Sequence, residues 1–445
     1  MSVPIRVLVV DDSALMRQMI SRFLSEAGME VCGTARDGVE GLAKALALRP
    51  DVITLDVQMP RMDGLAMLAR LMEEAPTPVV MVSSVTQRQA PAAVEALMLG
   101  AVDVVAKPGG PISVNLGDVR EELVAKVRAA ARAQVRPRRA RGQPDGRPGT
   151  ARLAARLPAA EAPAEPRPGP VSAAPPAREP LAPSRGPQPA AFRTAAPRTG
   201  TPRPAPARPA SAPADTTSPV PASQAAERPG EPEAPAAPGP PAAAKAVAVP
   251  GPVVVGSSTG GPSALSTLLS GLPADFPRPV IIVQHMPEGF TASLARRLDG
   301  LSPLHVAEAE PGRLPRPGEA WVARGGFHLL FDEEGHMVLS SAPPHLGVRP
   351  AVDLTLESAV DVWGGQVVAV ILTGMGMDGA RGARKLKRAG GRVLAQDEAT
   401  SVVYGMPRVV KELALADEVH SLQDMAAALV RVVAQADGRS VQPNG

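Results

Sequence analysis

Residues 256–261, GSSTGG, place small hydroxyl side chains among glycines directly after the apolar run VAVPGPVVV. Gly256, Ser258 and Gly260 have the G-x-S-x-G spacing of a nucleophile elbow, a tight strand-to-helix turn that presents a serine hydroxyl. A phosphate-binding P-loop would end in Gly-Lys-Ser/Thr, whereas here a proline follows the last glycine. Because a glycine turn can also be purely structural, the prediction of catalysis depends on partners for Ser258 elsewhere in the chain.

Two further residues could complete a hydrolytic site with Ser258. Among six histidines, His285 directly follows the apolar run VIIVQ, and Asp378 follows VVAVILTGMGM. His285 alone could be structural, and Asp378 alone could be a helix N-cap. Together with Ser258 they could act as nucleophile, general base and orienting carboxylate at one sheet edge. Their order along the chain, Ser-His-Asp, differs from that of α/β-hydrolases, so we do not predict that fold.

A second set of polar residues lies at predicted strand ends in the first 130 residues. Asp11, Asp12 and Asp56 could supply three carboxylates, with Ser83 and Lys107 at neighbouring strand ends. Each has a plain alternative as a cap, a buried hydroxyl or a surface lysine. As a group, the carboxylates would repel one another unless a cation such as Mg²⁺ neutralised them. One carboxylate could then attack a phosphoryl group while the lysine pairs with its charge.

The elements that must position these residues are short strands alternating with amphipathic stretches. In the first domain the predicted strands are IRVLVV, EVCGTA, DVITLD, PVVMVS and AVDVVAK. In the last part of the chain they are PVVVG, RPVIIVQHM, QVVAVILTG and GRVLAQD, and AWVARGGFHLLFDEEGHMVLSS alternates like a hairpin. We therefore predict an α/β protein with an N-terminal doubly wound domain and a C-terminal parallel, hydrolase-like sheet carrying a small antiparallel hairpin.

Composition separates the two predicted domains. More than half of the 52 prolines fall in residues 137–250, a basic Ala/Pro/Arg-rich tract with few residues that could build a core. We predict a receiver-like domain at 1–130, a disordered linker at 131–249, a catalytic domain at 250–437 and a disordered tail at 438–445. The basic tract could touch nucleic acid or an anionic membrane, but a solvated spacer is the favoured interpretation.

The remaining composition favours the cytoplasm. The single cysteine, Cys32, excludes an internal disulfide and indicates a reducing compartment. No stretch of about eighteen apolar residues exists, and the N-terminal MSVPIRVLVVDD lacks the layout of a signal peptide. We expect a soluble cytoplasmic protein without membrane insertion.

The first domain resembles the response-regulator receiver family in the segments VVDDS, LDVQMPRMDGL, VVMVSS and AKP. The resemblance implies that Asp56 is the phosphoacceptor. It also implies that Mg²⁺ is bound by Asp11, Asp12, Asp56 and the Gln58 carbonyl. Ser83 and Lys107 would bind the phosphoryl group. Val104 stands where this family often has an aromatic switch residue.

The two predicted domains together, but not the linker between them, resemble the chemotaxis receptor protein-glutamate methylesterase family, through GSSTGGPSAL, VQHMPEGFT, ILTGMGMDGA and TSVVYGMP joined to an N-terminal receiver. The resemblance implies that Ser258 is the nucleophile, His285 the general base and Asp378 its orienting partner. It further implies that Thr259 supports the nucleophile turn and that backbone N–H groups around His285 and Met375 bind the oxyanion. Two segments would line the rim of the site, RPAVD with Asp353 and YGMP with Tyr404.

The implied activity is phosphorylation-activated hydrolysis of glutamate methyl esters on chemoreceptors, with deamidation of receptor glutamines at the same site. The implied partners are methyl-accepting chemoreceptors and a histidine kinase, with Mg²⁺ in the receiver and no cofactor at the esterase site. A catalytically silent docking module is the alternative. A transcription factor is disfavoured because residues 251–435 contain no basic helix-turn-helix pattern, so we expect no nucleic-acid partner.

Overall fold

The computed structural model describes residues 3–83, 90–107, 116–135 and 249–438. The linker predicted at 131–249 and the tail predicted at 438–445 lie outside these residues, apart from 131–135, 249 and 438. The four domain bounds therefore stay predictions. No helix in the described ranges is both long and apolar enough to span a bilayer.

The described N-terminal residues form a five-stranded parallel sheet in the order β2-β1-β3-β4-β5. Its strands are β1 (Arg6–Val10), β2 (Glu30–Ala35), β3 (Val52–Asp56), β4 (Val79–Ser83) and β5 (Asp103–Ala106). Its helices are α1 (Ala14–Glu26), α2 (Gly38–Leu48), α3 (Gly64–Glu74), α4 (Ala90–Leu99) and α5 (Leu116–Ala130). Alternate residues of β1 pack into separate cores on the two faces of the sheet, which is the predicted doubly wound arrangement.

The described C-terminal residues form a seven-stranded parallel sheet in the order β14-β13-β12-β6-β7-β9-β8. These strands are β6 (Val253–Ser257), β7 (Val280–Gln284), β8 (His305–Glu308), β9 (Glu319–Val322), β12 (Val368–Ile371), β13 (Arg392–Gln396) and β14 (Glu418–His420). The helices are α6 (Gly261–Ser270), α7 (Thr291–Asp299), α8 (Val352–Trp363), α9 (Ala380–Arg388), α10 (Met406–Glu412) and α11 (Leu422–Ala436), with a 3₁₀ turn at Gly364–Gln366. The central strands β6, β7 and β12 end at the same edge.

The predicted hairpin is present but shorter than its sequence pattern suggested. It consists of β10 (His328–Phe331) and β11 (Met337–Ser340), which pair antiparallel. The AWV segment that we assigned to the hairpin belongs instead to β9, which pairs parallel with β7 and β8. Trp321 is buried in that position because the segment lies inside the main sheet.

Helix α4 of the first domain packs against two helices of the second domain. Its sequence APAAVEALML is almost entirely apolar, and it packs against both α6 and α7. Val94 and Leu97 of α4 belong to the same buried cluster as Leu265 of α6 and Leu294 of α7. A helix that is apolar on most sides is expected to be covered on most sides, and here the second domain supplies the cover.

Candidate active site

Ser258 follows β6 directly and begins the tight turn into α6. Its N–H donates to Thr373 O (3.0 Å), and its carbonyl accepts from Gly261 N–H (2.8 Å). Gly260 has a φ of +76°, and a Cβ there would lie 2.5 Å from Val402 Cβ. Glycine at 260 is therefore required by both backbone conformation and space.

The loop after β12 lies against the nucleophile turn. A Cβ on Gly374 would lie 2.8 Å from Ser258 Cβ, so this glycine permits the close approach. The Thr373 hydroxyl donates to Thr259 O (2.9 Å) and accepts from Val403 N–H (3.0 Å). These contacts fix the relative positions of the loops after β6, β12 and β13.

Gln284, the last residue of β7, connects the predicted nucleophile and base. Its Nε2 donates to Ser258 O (2.9 Å) and His285 O (3.0 Å), and its Oε1 accepts from the Ser257 hydroxyl (2.7 Å). The side chain is buried. We did not predict this role from the sequence, although the VQHMPEG segment contained the residue.

His285 and Asp378 form a close pair at the edge of the sheet. His285 Nε2 lies 2.7 Å from Asp378 Oδ2, and Asp378 is only 3% exposed. The carboxylate also accepts from three backbone N–H groups, those of Val352 (2.6 Å), Asp353 (2.9 Å) and Gly379 (3.0 Å). Burial alone would raise the pKa of Asp378, but the hydrogen bond and charge of His285 and these N–H groups outweigh it and lower the pKa. Asp378 is therefore a carboxylate that can only accept.

The described residues contain no hydrogen bond between Ser258 Oγ and the His285 ring. Nucleophile–base hydrogen bonds are often loose before substrate binds. Of the predicted oxyanion donors, the His285 N–H is already donated to Ser257 O (3.0 Å) and is not available. Within the described residues, the Thr259 and Met375 N–H groups donate to no protein acceptor, which leaves them open to a ligand.

Asp353 does not line the rim as we predicted from the RPAVD segment. It is 2% exposed, at the start of α8, where its Oδ1 accepts from Gly382 N–H (2.8 Å) and its Oδ2 lies 3.1 Å from His345 Nε2. Burial, together with the neighbouring Asp378 charge, raises the pKa of Asp353. Tyr404 lines a neighbouring cavity together with Met375.

Ser258, His285 and Asp378 line a cavity of about 840 Å³. Its catalytic-domain walls also include the turn Leu346–Val348 and the loop Met375–Met377. Three large apolar side chains on these walls are exposed, those of Leu346 (56%), Met375 (39%) and Met377 (53%). The remaining wall comes from the first domain.

That wall is helix α5, which contributes Glu121, Glu122, Ala125 and Lys126. Close beside it, residues 102–103, at the start of β5, are hydrogen-bonded to the nucleophile turn in two places. Gly260 N–H donates to Val102 O (3.0 Å), and the buried Thr259 hydroxyl donates to Asp103 Oδ2 (2.5 Å).

Asp103 is held in this contact by Lys126. The Lys126 Nζ lies 3.0 Å from Asp103 Oδ1 and 2.8 Å from Glu122 Oε1, and it donates to Val104 O (2.7 Å). Burial acts to lower the pKa of Lys126, but the two carboxylates outweigh it and raise the pKa, so the ammonium stays charged. The predicted switch position, Val104, is itself buried and contributes its carbonyl to this cluster.

The predicted phosphoacceptor site lies at the carboxyl edge of the first sheet. Lys107 Nζ lies 2.7 Å from Asp56 Oδ2 and 2.9 Å from Asp11 Oδ2. Asp12 is exposed beside them, and one carboxylate oxygen from each of the three aspartates lies within 4.8 Å of the others. Such a set of oxygen ligands fits Mg²⁺.

Burial and the nearby Asp11 charge raise the pKa of Asp56, although Lys107 and the Gln58 N–H partly compensate. Although burial disfavours its charge, hydrogen bonds to Asp56 and Asp11 raise the pKa of Lys107. Ser83 is buried at the end of β4, where its carbonyl accepts from Lys107 N–H (2.8 Å). Gln58 is exposed and donates its N–H to the Asp56 carboxylate. The sequence-predicted residues of this site therefore come together.

Comparison with known proteins agrees with both resemblances. Residues 253–429 match the CheB methylesterase family, and residues 7–114 match the response regulator receiver domain. The protein-glutamate methylesterase/protein-glutamine glutaminase of Symbiobacterium thermophilum is 44% identical over 433 residues, which cover 97% of this chain and 98% of the relative. The chain belongs to the CheB methylesterase family. It is a hydrolase with a response-regulator receiver domain, as the motifs predicted.

A second relative covers nearly the whole chain, and a solved structure covers the catalytic domain. The protein of the same name from Geobacillus kaustophilus is 40% identical over 436 residues, 97% of this chain and 99% of the relative. The crystal structure of the Thermotoga maritima CheB methylesterase catalytic domain is 46% identical, covers 42% of this chain and 100% of that chain, and has a TM-score of 0.41.

Proposed function

We propose that this chain hydrolyses γ-glutamyl methyl esters of chemoreceptors and deamidates glutamine side chains at the same site. The main observation in support is the pair of His285 and the buried Asp378, 2.7 Å apart, at the sheet edge that carries the Ser258 turn. The names of the full-length relatives, protein-glutamate methylesterase/protein-glutamine glutaminase, support the same substrate chemistry. Receptor methyl esters on a cytoplasmic helical domain would require the enzyme to act in the cytoplasm.

In this mechanism Ser258 Oγ attacks the ester carbonyl carbon and loses its proton to His285. Because the ionised Asp378 can only accept, His285 Nε2 carries the proton of their bond, and Nδ1 holds the lone pair that acts as base. The proton then passes to the methoxy oxygen, and methanol leaves a glutamyl-serine ester. Water, deprotonated by the same imidazole, cleaves this ester and restores Ser258 with a free glutamate carboxylate.

The tetrahedral intermediates carry an oxyanion that needs donors. The N–H groups of Thr259 and Met375 support this role because both lie in the cavity wall and neither donates to a described protein acceptor. One such donor typically contributes about 10²–10³-fold to kcat. With a glutamine substrate the same steps release ammonia instead of methanol, and no metal or cofactor takes part at this site.

We further propose that phosphorylation of Asp56 activates the esterase. The support is the position of α5 in the wall of the Ser258 cavity and the Asp103–Thr259 hydrogen bond between the domains. A docked receiver narrows access to the cavity, and a phosphoryl group that favours the undocked state would shift the population toward an open site. A histidine kinase would be the phosphodonor.

The receiver residues fit the Mg²⁺ that this transfer requires. Asp11, Asp12 and Asp56 would hold the ion with the Gln58 carbonyl, and the ion would neutralise charge on the incoming phosphoryl group. Asp56 would attack phosphorus. Ser83 and Lys107 would bind the phosphoryl oxygens once Lys107 gives up its pairing with Asp56.

The activity is tested by methanol and ammonia release from receptor membranes that carry methyl-glutamate and glutamine sites. We expect both products from the wild-type chain and neither from Ser258→Ala. Co-sedimentation with the membranes should be equal for the two proteins. Binding without any product from the wild type would instead support the silent docking module.

A further inference from the structure

The turn at residues 345–348 has an unusual backbone and lies beside the catalytic cavity. His345 and Val348 exchange two backbone hydrogen bonds, each 3.0 Å long. The two central residues, Leu346 (φ 51°) and Gly347 (φ 80°), both lie in the left-handed region, as in a type I′ turn. Glycine adopts this conformation readily, but leucine does so at a cost in free energy. Residues held in such conformations cluster at functional sites.

The turn is anchored from inside the domain. His345 Nε2 lies 3.1 Å from the buried Asp353 carboxylate, and Asp353 N–H donates to Asp378 Oδ1 (2.9 Å). At the other end, Arg349 Nη1 donates to the carbonyls of Ser341 (3.0 Å) and Ala342 (2.9 Å). The backbone of the turn is thus tied, through Asp353, to the carboxylate that orients His285.

The side chain at the tip of this turn is apolar and exposed. Leu346 is 56% exposed and lines the cavity that contains Ser258 and that the receiver helix α5 also lines. Met375 and Met377 add exposed apolar surface on the adjoining wall. A strained backbone that presents a leucine at the mouth of a catalytic cavity indicates contact with something apolar that enters beside the reacting group.

We propose that the turn 345–348, fixed by the His345–Asp353 pair, selects the substrate by contact of Leu346 with an apolar side chain next to the reactive glutamyl ester. This rests on the proposed function, in which the ester is carried on a receptor helix. On a helix, residues three and four positions from the ester share its face and can reach the turn while the ester reaches Ser258. The neutral ester fits this apolar mouth better than the charged glutamate product, so the same surface favours product release.

Substrate selection by the turn is measured by assaying the full chain on two substrates, in the presence of Mg²⁺ and a small phosphodonor. One is methylated receptor membranes, and the other is a small blocked glutamate γ-methyl ester that lacks neighbouring side chains. The readout is kcat/KM on the receptor divided by kcat/KM on the small ester. A general loss of folding or of catalytic competence lowers both terms and leaves the ratio unchanged.

We expect Leu346→Asp to lower this ratio about tenfold, since loss of one apolar contact discriminates by about that factor or more. Leu346→Met should keep it within about twofold because the apolar contact persists. His345→Gln should lower it through a higher KM on the receptor, because loss of the imidazole loosens the turn, whereas any effect that reaches His285 through Asp353 and Asp378 lowers both terms of the ratio alike. His336→Gln is the matched control, since it breaks a similar His–Asp pair (3.2 Å to Asp332) in the β10–β11 hairpin.

A second control, Leu413→Asp, places the same charge on an exposed leucine at the end of α10. A ratio for Leu346→Asp equal to that for Leu413→Asp, with an active wild type, would overturn the proposal and leave the esterase function intact. A wild type inactive on both substrates would overturn the proposed function and the selection with it.

Discussion

Among single residues, Gln284 has a positioning role that its neighbours in the sequence do not indicate. It donates to the carbonyls of Ser258 and His285 and accepts from Ser257, so one buried amide positions both predicted catalytic residues. In the parallel register of β6 and β7, Ser257 lies opposite Gln284. A pattern read along one strand contains no information on that register, which explains why this role was not predicted.

Gln284→Glu should reduce both stability and turnover. The replacement keeps the shape but turns two donated hydrogen bonds into repulsion between oxygens, and each buried acceptor left unsatisfied costs about 1–3 kcal/mol. We expect kcat for methanol release to fall at least about tenfold, together with a lower thermal unfolding midpoint. Gln423→Glu, the same change at an exposed position of α11, should alter neither quantity. Equal behaviour of the two variants would contradict the positioning role of Gln284.

The sequence predicted the placement, though not the tested role, of the residues that follow strand ends. Ser258, His285 and Asp378 follow β6, β7 and β12, and parallel strands that end together bring such residues together. Asp353 was misplaced at the rim because the family resemblance gives the segment RPAVD but not the burial of its carboxylate. Its partners Gly382 and His345 come from separate elements that only the fold brings close.

Among elements, the strands missing from the sequence analysis are the two at the edges of the catalytic sheet. β8 (HVAE) and β14 (EVH) are only four and three residues long, and both are partly exposed. Charged residues suit an edge strand and remove the apolar pattern that identifies buried strands. The central strands were predicted because burial on both faces gives continuous apolar runs.

The edge strand β14 is attached to α11 by an ion pair that should give the stability a measurable pH dependence. Arg431 Nη2 lies 2.5 Å from Glu418 Oε2, and its hydrogen bond, with a further one from His420, lowers the pKa of Glu418 to about 2. A lowered carboxyl pKa stabilises the folded state above the ordinary value of 4.5, and this contribution is lost as the pH falls from there toward about 2.

Glu418→Gln should therefore lower the free energy of unfolding by about 1 kcal/mol at pH 7. The effect is small because the ion pair is partly solvated. The difference in unfolding free energy between this variant and the wild type should be smaller when unfolding in urea is repeated at pH 3. Glu412→Gln, in the exposed Arg408–Glu412 pair of α10, is the matched control and should have little effect at either pH. A Glu418→Gln penalty that is the same at pH 7 and pH 3 would contradict the assignment.

In the whole molecule, the first domain contributes directly to the surroundings of the nucleophile. Asp103 accepts a hydrogen bond from the hydroxyl of Thr259, which lies 156 residues further along the chain, and α4 packs on α6 and α7. The fusion of a phosphoacceptor domain to a hydrolase was evident from the motifs. The docking contact was not evident from the motifs. In the sequence, Asp103 is a polar residue at the start of a strand, and its partner Thr259 belongs to the other domain.

Asp103→Asn should raise the esterase rate measured without phosphodonor. The change weakens both the Thr259 hydrogen bond and the Lys126 ion pair, so the docked state loses stability relative to the open one. Since a loss of about 1.4 kcal/mol corresponds to a tenfold shift in that equilibrium, we expect a several-fold rise in methanol release and a smaller stimulation by phosphodonor. Glu73→Gln, an exposed acidic position on α3, is the control for loss of one receiver charge. An unstimulated rate equal in both variants would contradict a docking role for Asp103.

If a phosphorylated receiver releases a serine esterase, the rate of methanol release from methylated receptor membranes depends on both Asp56 and Ser258. The full chain is assayed with Mg²⁺, before and after addition of a small phosphodonor, beside Asp56→Asn and Ser258→Ala. We predict that the rate rises on phosphodonor addition in the wild type, stays at its unstimulated value in Asp56→Asn, and is absent in Ser258→Ala. Release that persists in Ser258→Ala, or a phosphodonor response that is the same in Asp56→Asn as in wild type, would contradict the account.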